Sequence, residues 1–303
     1  MFSKKNMHPT DTLAIVLAVS ANFFLGVSSL YWRSLNDVSP TTLVAYRIVL
    51  SAVTLTFFLL VFRRKYPLTQ LTLKQAGLHC GASIIIVINW GSFIHASING
   101  YLLESGLGYL LAPFISIVLG ALIYHERVST KKLILILAAM MAVVVLISIS
   151  TLSHWTYLLI ASTWGSYTYL KKSTSLDAVS GLFIETLFLM VLLALAIGLL
   201  NFPTSWRGEI SSYSNPMVWF AGAVSIVPLL MFSFTTGKLP LSLTGFLQFI
   251  LPLTLLSIGL FLHDTSTSHE TLLSVITITT LLFSFLAYDL ASSRTRQIKE
   301  TRK

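Results

Sequence analysis

The sequence predicts an all-α integral membrane protein: ten transmembrane helices arranged as two inverted five-helix repeats. Three observations lead there. Apolar runs of membrane-spanning length recur along the chain, basic residues gather in alternate loops, and a pattern of glycines and proline returns after a fixed interval. Of 303 residues, 55% are hydrophobic and only 10% charged, whereas soluble domains carry roughly 25% charged residues. Too little charge remains to coat a water-facing surface, so most of the exterior must face lipid.

The runs fall at 12–31, 41–62, 73–96, 101–123, 131–150, 154–170, 178–200, 216–237, 240–262 and 270–290. Each is close to the ~20 residues that a helix needs to cross a bilayer. They are continuous rather than alternating, which favours helices over barrel strands. Lys4 and Lys5 precede the first run, as in a signal peptide. The stretch from Leu13 to Trp32 is too long for a signal-peptide core and lacks a small-residue cleavage site, so it is expected to be the first span. The second span holds Arg47, about six residues in and ~9 Å from the outer surface at the rise of an α-helix. The sixth, with Trp164 and Tyr167, is short and is expected to be tilted or partly interfacial. The seventh holds Glu185, about seven residues from the opposite end.

Ten spans place both termini and alternate loops on one side of the membrane. Seventeen of the 20 Lys and Arg residues then lie on that side, Arg33 and Arg207 on the other, and Arg47 inside a span. By the positive-inside rule the crowded side is cytoplasmic. An odd number of spans would scramble this partition. The formal charge of +9 therefore reports topology, and no nucleic-acid partner is expected.

Gly106, Pro113 and Gly120 of the fourth span are matched by Gly245, Pro252 and Gly259 of the ninth, at one constant offset. The short polar loops His125-Glu126-Arg127 and His263-Asp264-Thr265 follow the two segments. Five spans per half is an odd number, so the second half must be inverted in the membrane. Inverted repeats are a recurrent transporter design with the substrate near the midplane between halves. The expected organisation is a cytoplasmic N-terminus at 1–11, a first repeat at 12–150, a second at 151–291 and a basic cytoplasmic tail at 292–303.

The residues most expensive to hold in lipid are the first candidates for transport chemistry. A charge at a helix centre costs at least ~2.5 kcal/mol, which singles out Arg47, Glu104 and Glu185. Arg47 and Glu185 sit at opposite depths, so separate local partners are expected rather than one ion pair. A structural role, in which carbonyls and neighbouring helices satisfy each, competes with a functional one. A proton-coupled exporter needs a titratable group reachable from both sides in turn, and Glu185 or Glu104 is the candidate. Asn89, Trp90, His95, Tyr109 and Gln248 form a polar, aromatic set suited to a small zwitterion or aromatic compound. Helix–helix hydrogen bonding and an interfacial aromatic belt are the competing readings. His95, near a span end, is a weaker proton-shuttle candidate. Pro113 and Pro252 are hinge candidates, because each removes a backbone hydrogen bond inside a span.

Several classes are unsupported. Cys80 is the single cysteine, so no disulfide framework and no multi-cysteine metal site is expected. The chain has no zinc-protease, P-loop, dinucleotide or nucleophile-elbow motif. No cofactor is expected, and the chain is not expected to be an enzyme. An intramembrane protease would have to use Glu104 and Glu185 with nothing else in support. A non-transporting membrane sensor is the other alternative.

One block of residues resembles a known family. Asn89-Trp90, Phe93-Ile94, Asn99, Leu103-Glu104, Leu107-Gly108-Tyr109 and Pro113 are similar to the signature of RarD-type permeases. These belong to the EamA family of the drug/metabolite transporter superfamily. Leu30-Tyr31-Trp32, Tyr46-Arg47, Glu126-Arg127, Gly181, Ile184-Glu185-Thr186, Val227-Pro228-Leu229-Leu230, Gly245-Phe246, Gln248-Phe249 and Pro252 extend the resemblance over nearly the whole chain. It departs at Leu25, His95, Ala112 and Thr168, where the family usually has tryptophan, tryptophan, asparagine and glycine. The resemblance implies a secondary permease of the inner membrane that moves a small organic molecule by alternating access, as monomer or homodimer. Amino-acid or metabolite transport and chloramphenicol-type drug export both stay open, as does coupling to protons.

Overall fold

The computed structural model describes residues 9–61, 71–124, 152–174, 176–200, 202, 216–236 and 247–262, with scattered helical positions between 130 and 148 and between 273 and 284. Most of the expected fifth and tenth spans, the start of the ninth with Gly245, both polar loops and the basic tail lie outside the described residues. Every regular element among the described residues is helical. The helices are α1 (Pro9–Arg33), α2 (Pro40–Val61), α3 (Leu73–Ile98), α4 (Leu102–Tyr124), α5 (His154–Ser173), α6 (Ala178–Leu200), α7 (Ala221–Thr236) and α8 (Ile250–Leu262). A 3₁₀ turn at Pro216–Phe220 leads into α7. Among the described residues, five segments are long and apolar enough to cross a membrane: Thr12–Arg33, Pro40–Val61, Leu73–Ile98, Ala178–Leu199 and Pro216–Thr235. Large apolar side chains such as Phe57, Leu60, Val191 and Leu199 point outward. That is the arrangement a lipid solvent rewards.

Local chemistry sets the ends. Ser39 accepts the amide of Thr42 through its hydroxyl, and Pro40 follows at the first helical position of α2, where no N–H donor is needed. Thr72 accepts the amide of Gln75 and starts α3 in the same way. Between α3 and α4 the chain reverses in three residues. Gly100 takes φ +83, and the amide of Tyr101 reaches back to the carbonyl of Ala96 at 2.9 Å. That bond closes the C-terminal turn of α3, in a conformation where a side chain would be strained.

Small residues report the direction of each helix. Gly106 lies against Leu256, and Gly259 lies against Leu103, so α4 and α8 run antiparallel. This is the relation that inversion demands of the two spans that share the glycine–proline pattern. Gly108 faces Ile160 and Tyr157, while Gly165 faces Ala112 and Ile115, so α4 and α5 run parallel. Gly26 meets Leu251 and Thr254, while Ala14 and Ala18 pack with Leu247, which makes α1 and α8 parallel. The expected fifth span lies between these two parallel helices, α4 and α5, in the sequence, and its described positions Leu133, Ile134, Leu137, Met141 and Val145 are helical and exposed.

Two expectations gain detail. The polarity of the sixth span serves helix–helix packing. As α5 it packs between α3 and α4, with Tyr157, Ile160, Ala161, Trp164 and Tyr167 buried, so its hydroxyls and aromatic groups face other helices. The ninth span is broken before its proline. A turn at Gln248–Phe249 precedes α8, whose third residue is Pro252. Proline has no N–H for the carbonyl of Gln248 and its ring crowds that oxygen, which instead accepts the amide of Leu251 at 3.3 Å. Pro113, by contrast, lies within the continuous helix α4.

Candidate functional site

Seven helices converge on one cavity. Its wall takes Leu25, Ser28 and Trp32 from α1, Arg47 from α2, and Asn89, Trp90 and Phe93 from α3. Tyr109 of α4, Trp164 of α5, Val224 and Leu229 of α7 and Leu251 of α8 complete it. In this conformation the cavity itself is small, about 20 Å³. Both ends of the chain contribute, and the helical spacing of Leu25, Ser28 and Trp32 turns one face of α1 inward. Of the residues expected to bind substrate, Arg47, Asn89, Trp90 and Tyr109 are brought together here.

Arg47 is 4% exposed. Its guanidinium carbon lies 4.0 Å from the ring centroid of Trp90 and 5.3 Å from that of Trp32. Among the described residues Nε and Nη1 have no hydrogen-bond acceptor. Taking such a group out of water costs several kcal/mol, and a desolvated cation–π contact returns about 2 kcal/mol. Ring faces offset part of the charge and leave the N–H vectors unfilled. The neighbouring amide is different. Asn89 accepts from the hydroxyl of Tyr109 at 2.9 Å and donates to Thr163 Oγ1 at 3.0 Å and to the carbonyl of Ile160 at 3.4 Å. Its polar atoms therefore tie α3, α4 and α5 together and aim the ring of Tyr109.

Glu185 lies elsewhere and is buried at 2% exposure. Its Oε1 accepts from Lys171 Nζ at 2.8 Å and stands 2.9 Å from His79 Nδ1, while Oε2 accepts from the hydroxyl of Tyr167 at 3.0 Å. The hydroxyl of Ser83 donates to the backbone carbonyl of Glu185 at 3.0 Å. One carboxylate thus fastens α3, α5 and α6. Gly181, one turn earlier on α6, leaves room for it: a Cβ there would lie 3.2 Å from both His79 Cε1 and Lys171 Nζ. As expected, Arg47 and Glu185 do not pair. A ladder of rings runs between them instead: Tyr109 to Trp164 at 5.4 Å, Trp164 to Tyr167 at 5.8 Å, then the Tyr167 hydroxyl on Glu185. Trp164, Tyr167 and Lys171 share one face of α5 at helical spacing.

The remaining candidates sit away from the cavity. Glu104 is buried at the start of α4, and its Oε1 accepts the backbone amide of Ser153 at 3.2 Å, next to the first turn of α5. His95 lies at the end of α3, where it contacts Asn99, Tyr101 and Trp155. Gln248 occupies the turn before α8, next to Leu247, which packs on α1 at Ala14 and Ala18. Sequence reasoning passed over His79, whose signal was a histidine inside the apolar third span, and treated Lys171 as loop charge. Trp32 and Trp164 entered only as an end residue and as a sign of interfacial character. Among the described residues no group of three or more His, Cys, Asp or Glu is placed to hold a metal.

Comparison with known proteins agrees with this architecture. Residues 12–148 match the model of the EamA-like transporter family. The chain is 32% identical to "Uncharacterized transporter YojE" of Bacillus subtilis over 288 residues, covering 92% of this chain and 96% of that protein. It is 27% identical to "Protein RarD" of Escherichia coli, over 78% of this chain and 81% of that one. It is 26% identical to "Chloramphenicol-sensitive protein RarD" of Pseudomonas aeruginosa, over 82% and 86%. A solved crystal structure shares the fold with a TM-score of 0.58 at 15% identity, over 90% of this chain and 94% of that chain.

Proposed function

This chain belongs to the EamA-like transporter family, of the RarD type within the drug/metabolite transporters, and from that premise we propose that it is a secondary permease working by alternating access on a small organic molecule. The carrying observation is the cavity walled by helices from both ends of the chain, with one buried cation among aromatic rings. Convergent polar groups in an apolar pocket are the usual form of a small-molecule site. The interruption at Gln248–Phe249 before Pro252 supplies a break in a helix that lines this cavity, where a hinge serves alternating access. The loop charges favour the inner membrane with both termini in the cytoplasm.

Glu185 is the coupling candidate in this reading. Its three side-chain partners come from two other helices, and Lys171 is partly exposed, so protonation of the carboxylate would release a joint between α3, α5 and α6. Tyr167 and Trp164 would carry that change toward the cavity. The test begins with a thermal-shift screen of the purified protein against metabolites and antibiotics, since a ligand bound to the folded state raises its melting point. Hits are then assayed for flux in proteoliposomes. Flux driven by a pH gradient should vanish in Glu185→Gln, while counterflow without a gradient persists. Unchanged gradient-driven flux in that variant removes Glu185 from coupling, and a protein that moves none of its stabilising ligands is not a permease for them.

A further inference from the structure

We propose that the transported molecule is a monocarboxylic acid with an aromatic or apolar body and no cationic group, and that Arg47 binds its carboxylate. The proposal rests on the transporter reading of this cavity and adds the substrate's charge to it. Arg47 is a nine-tenths buried cation on the cavity wall with Nε and Nη1 unfilled among the described residues. The hydroxyl and amide groups of the wall are already engaged. Ser28 donates to the carbonyl of Leu25 at 2.6 Å, and Asn89 is held by Tyr109, Thr163 and Ile160. Neither carboxylate buried among the described helices lines the cavity: Glu185 is held by Lys171, His79 and Tyr167, and Glu104 sits at the start of α4 with its Oε1 on the amide of Ser153.

Charge balance narrows the ligand. A carboxylate brings one negative charge and two acceptor oxygens to a guanidinium that lacks both. A phosphate near its second ionisation would leave surplus negative charge among rings. An amine would face Arg47 with no described carboxylate beside it. A zwitterion would need a place for its ammonium; Arg47 already takes one face of Trp90 and of Trp32, and no carboxylate is among the residues that line the wall. Beyond the guanidinium the wall is Phe93, Tyr109, Trp164, Leu229 and Leu251, which suits an apolar or aromatic body.

The experiment uses matched quartets of acid, primary amide, α-amino acid and amine. They are 3-phenylpropionate, 3-phenylpropanamide, phenylalanine and phenethylamine, with the corresponding sets built on indole and on an isobutyl group. Binding to the purified full-length protein is read by tryptophan fluorescence and thermal shift, and transport by counterflow in proteoliposomes. In at least one quartet the acid should bind about tenfold or more tighter than its three relatives. Arg47→Gln should weaken that acid by about thirtyfold or more, whereas Arg47→Lys retains part of the preference. Without ligand, Arg47→Gln should melt no lower than the parent, since the desolvation cost of the buried charge exceeds what its two ring contacts return. Equal binding across every quartet, binding of none, an acid preference that survives Arg47→Gln, or a Gln variant that fails to fold would each overturn the proposal. Saturable flux of an amine or amino acid that ignores Arg47 keeps the permease and removes this substrate class. Arg47-dependent acid binding without flux of any compound keeps the site and removes the permease.

Discussion

Consider a double-mutant cycle built from Glu185→Gln and Lys171→Met. The two charges are 2.8 Å apart, the Glu185 side chain is 3% exposed and that of Lys171 is 20% exposed. At an effective dielectric near 20, unit charges at that distance attract by ~6 kcal/mol before desolvation is counted. Lys171→Met leaves a buried carboxylate with only His79 and Tyr167, and should cost about 3 kcal/mol. Glu185→Gln should cost less, about 2 kcal/mol, because the long stem of Lys171 lets its ammonium reach water. The double variant removes both charges and keeps neutral acceptors and donors for His79 and Tyr167, so its cost should also be about 3 kcal/mol. The coupling energy is then about 2 kcal/mol. Unfolding by sodium dodecyl sulfate in mixed micelles, followed by circular dichroism, measures all four proteins. Additivity within about 0.5 kcal/mol would refute the ion pair. A Glu185→Gln variant weaker than Lys171→Met would refute the argument that burial of the carboxylate dominates.

Gly108→Ala should destabilise by about 2 kcal/mol in the same assay. The new methyl would sit 2.8 Å from Ile160 Cβ and 2.9 Å from the carbonyl of Tyr157, forcing α4 and α5 apart. Gly198→Ala, with nothing within 4 Å of the added atom, should be neutral or stabilising by up to about 1 kcal/mol. Tyr109→Phe leaves the buried Oδ1 of Asn89 without its donor and should cost about 1–2 kcal/mol of stability. Glu104→Gln should lower the unfolding free energy by about 1 kcal/mol through the weaker bond to Ser153. Isothermal titration should find its cavity affinity for a screened ligand unchanged.

Hydropathy located the described helices well because it measures what lipid selects. The expected 73–96 became Leu73–Ile98, and 178–200 became Ala178–Leu200. It could not see the rotation of each helix about its own axis, and rotation decides who meets whom. Arg47 and Glu185 both stood out as costly charges, yet one finds three side-chain partners and the other two aromatic faces. Gln248 shared the chemistry of Asn89, but it occupies the turn before α8. The polar sequence of α5 did not say which way its hydroxyls face, and they serve the bundle interior, as Thr163 does for Asn89. The repeat of glycines was legible, and the antiparallel crossing of Gly106 on Leu256 and Gly259 on Leu103 gives it a packing role.

The central claim is that the cavity between α1, α2, α3, α4, α5, α7 and α8 is where the transported molecule binds. Ser28 lies on its wall and is 7% exposed, so Ser28→Phe would fill it from α1 while leaving the Arg47 and Glu185 side chains in the sequence. The decisive measurement is counterflow of a thermal-shift hit in proteoliposomes that hold only this protein, compared between parent and Ser28→Phe at matched helical content and melting point. The account predicts saturable counterflow in the parent and a loss of about tenfold or more in the filled variant. Equal counterflow in both would place the transported molecule elsewhere in the bundle.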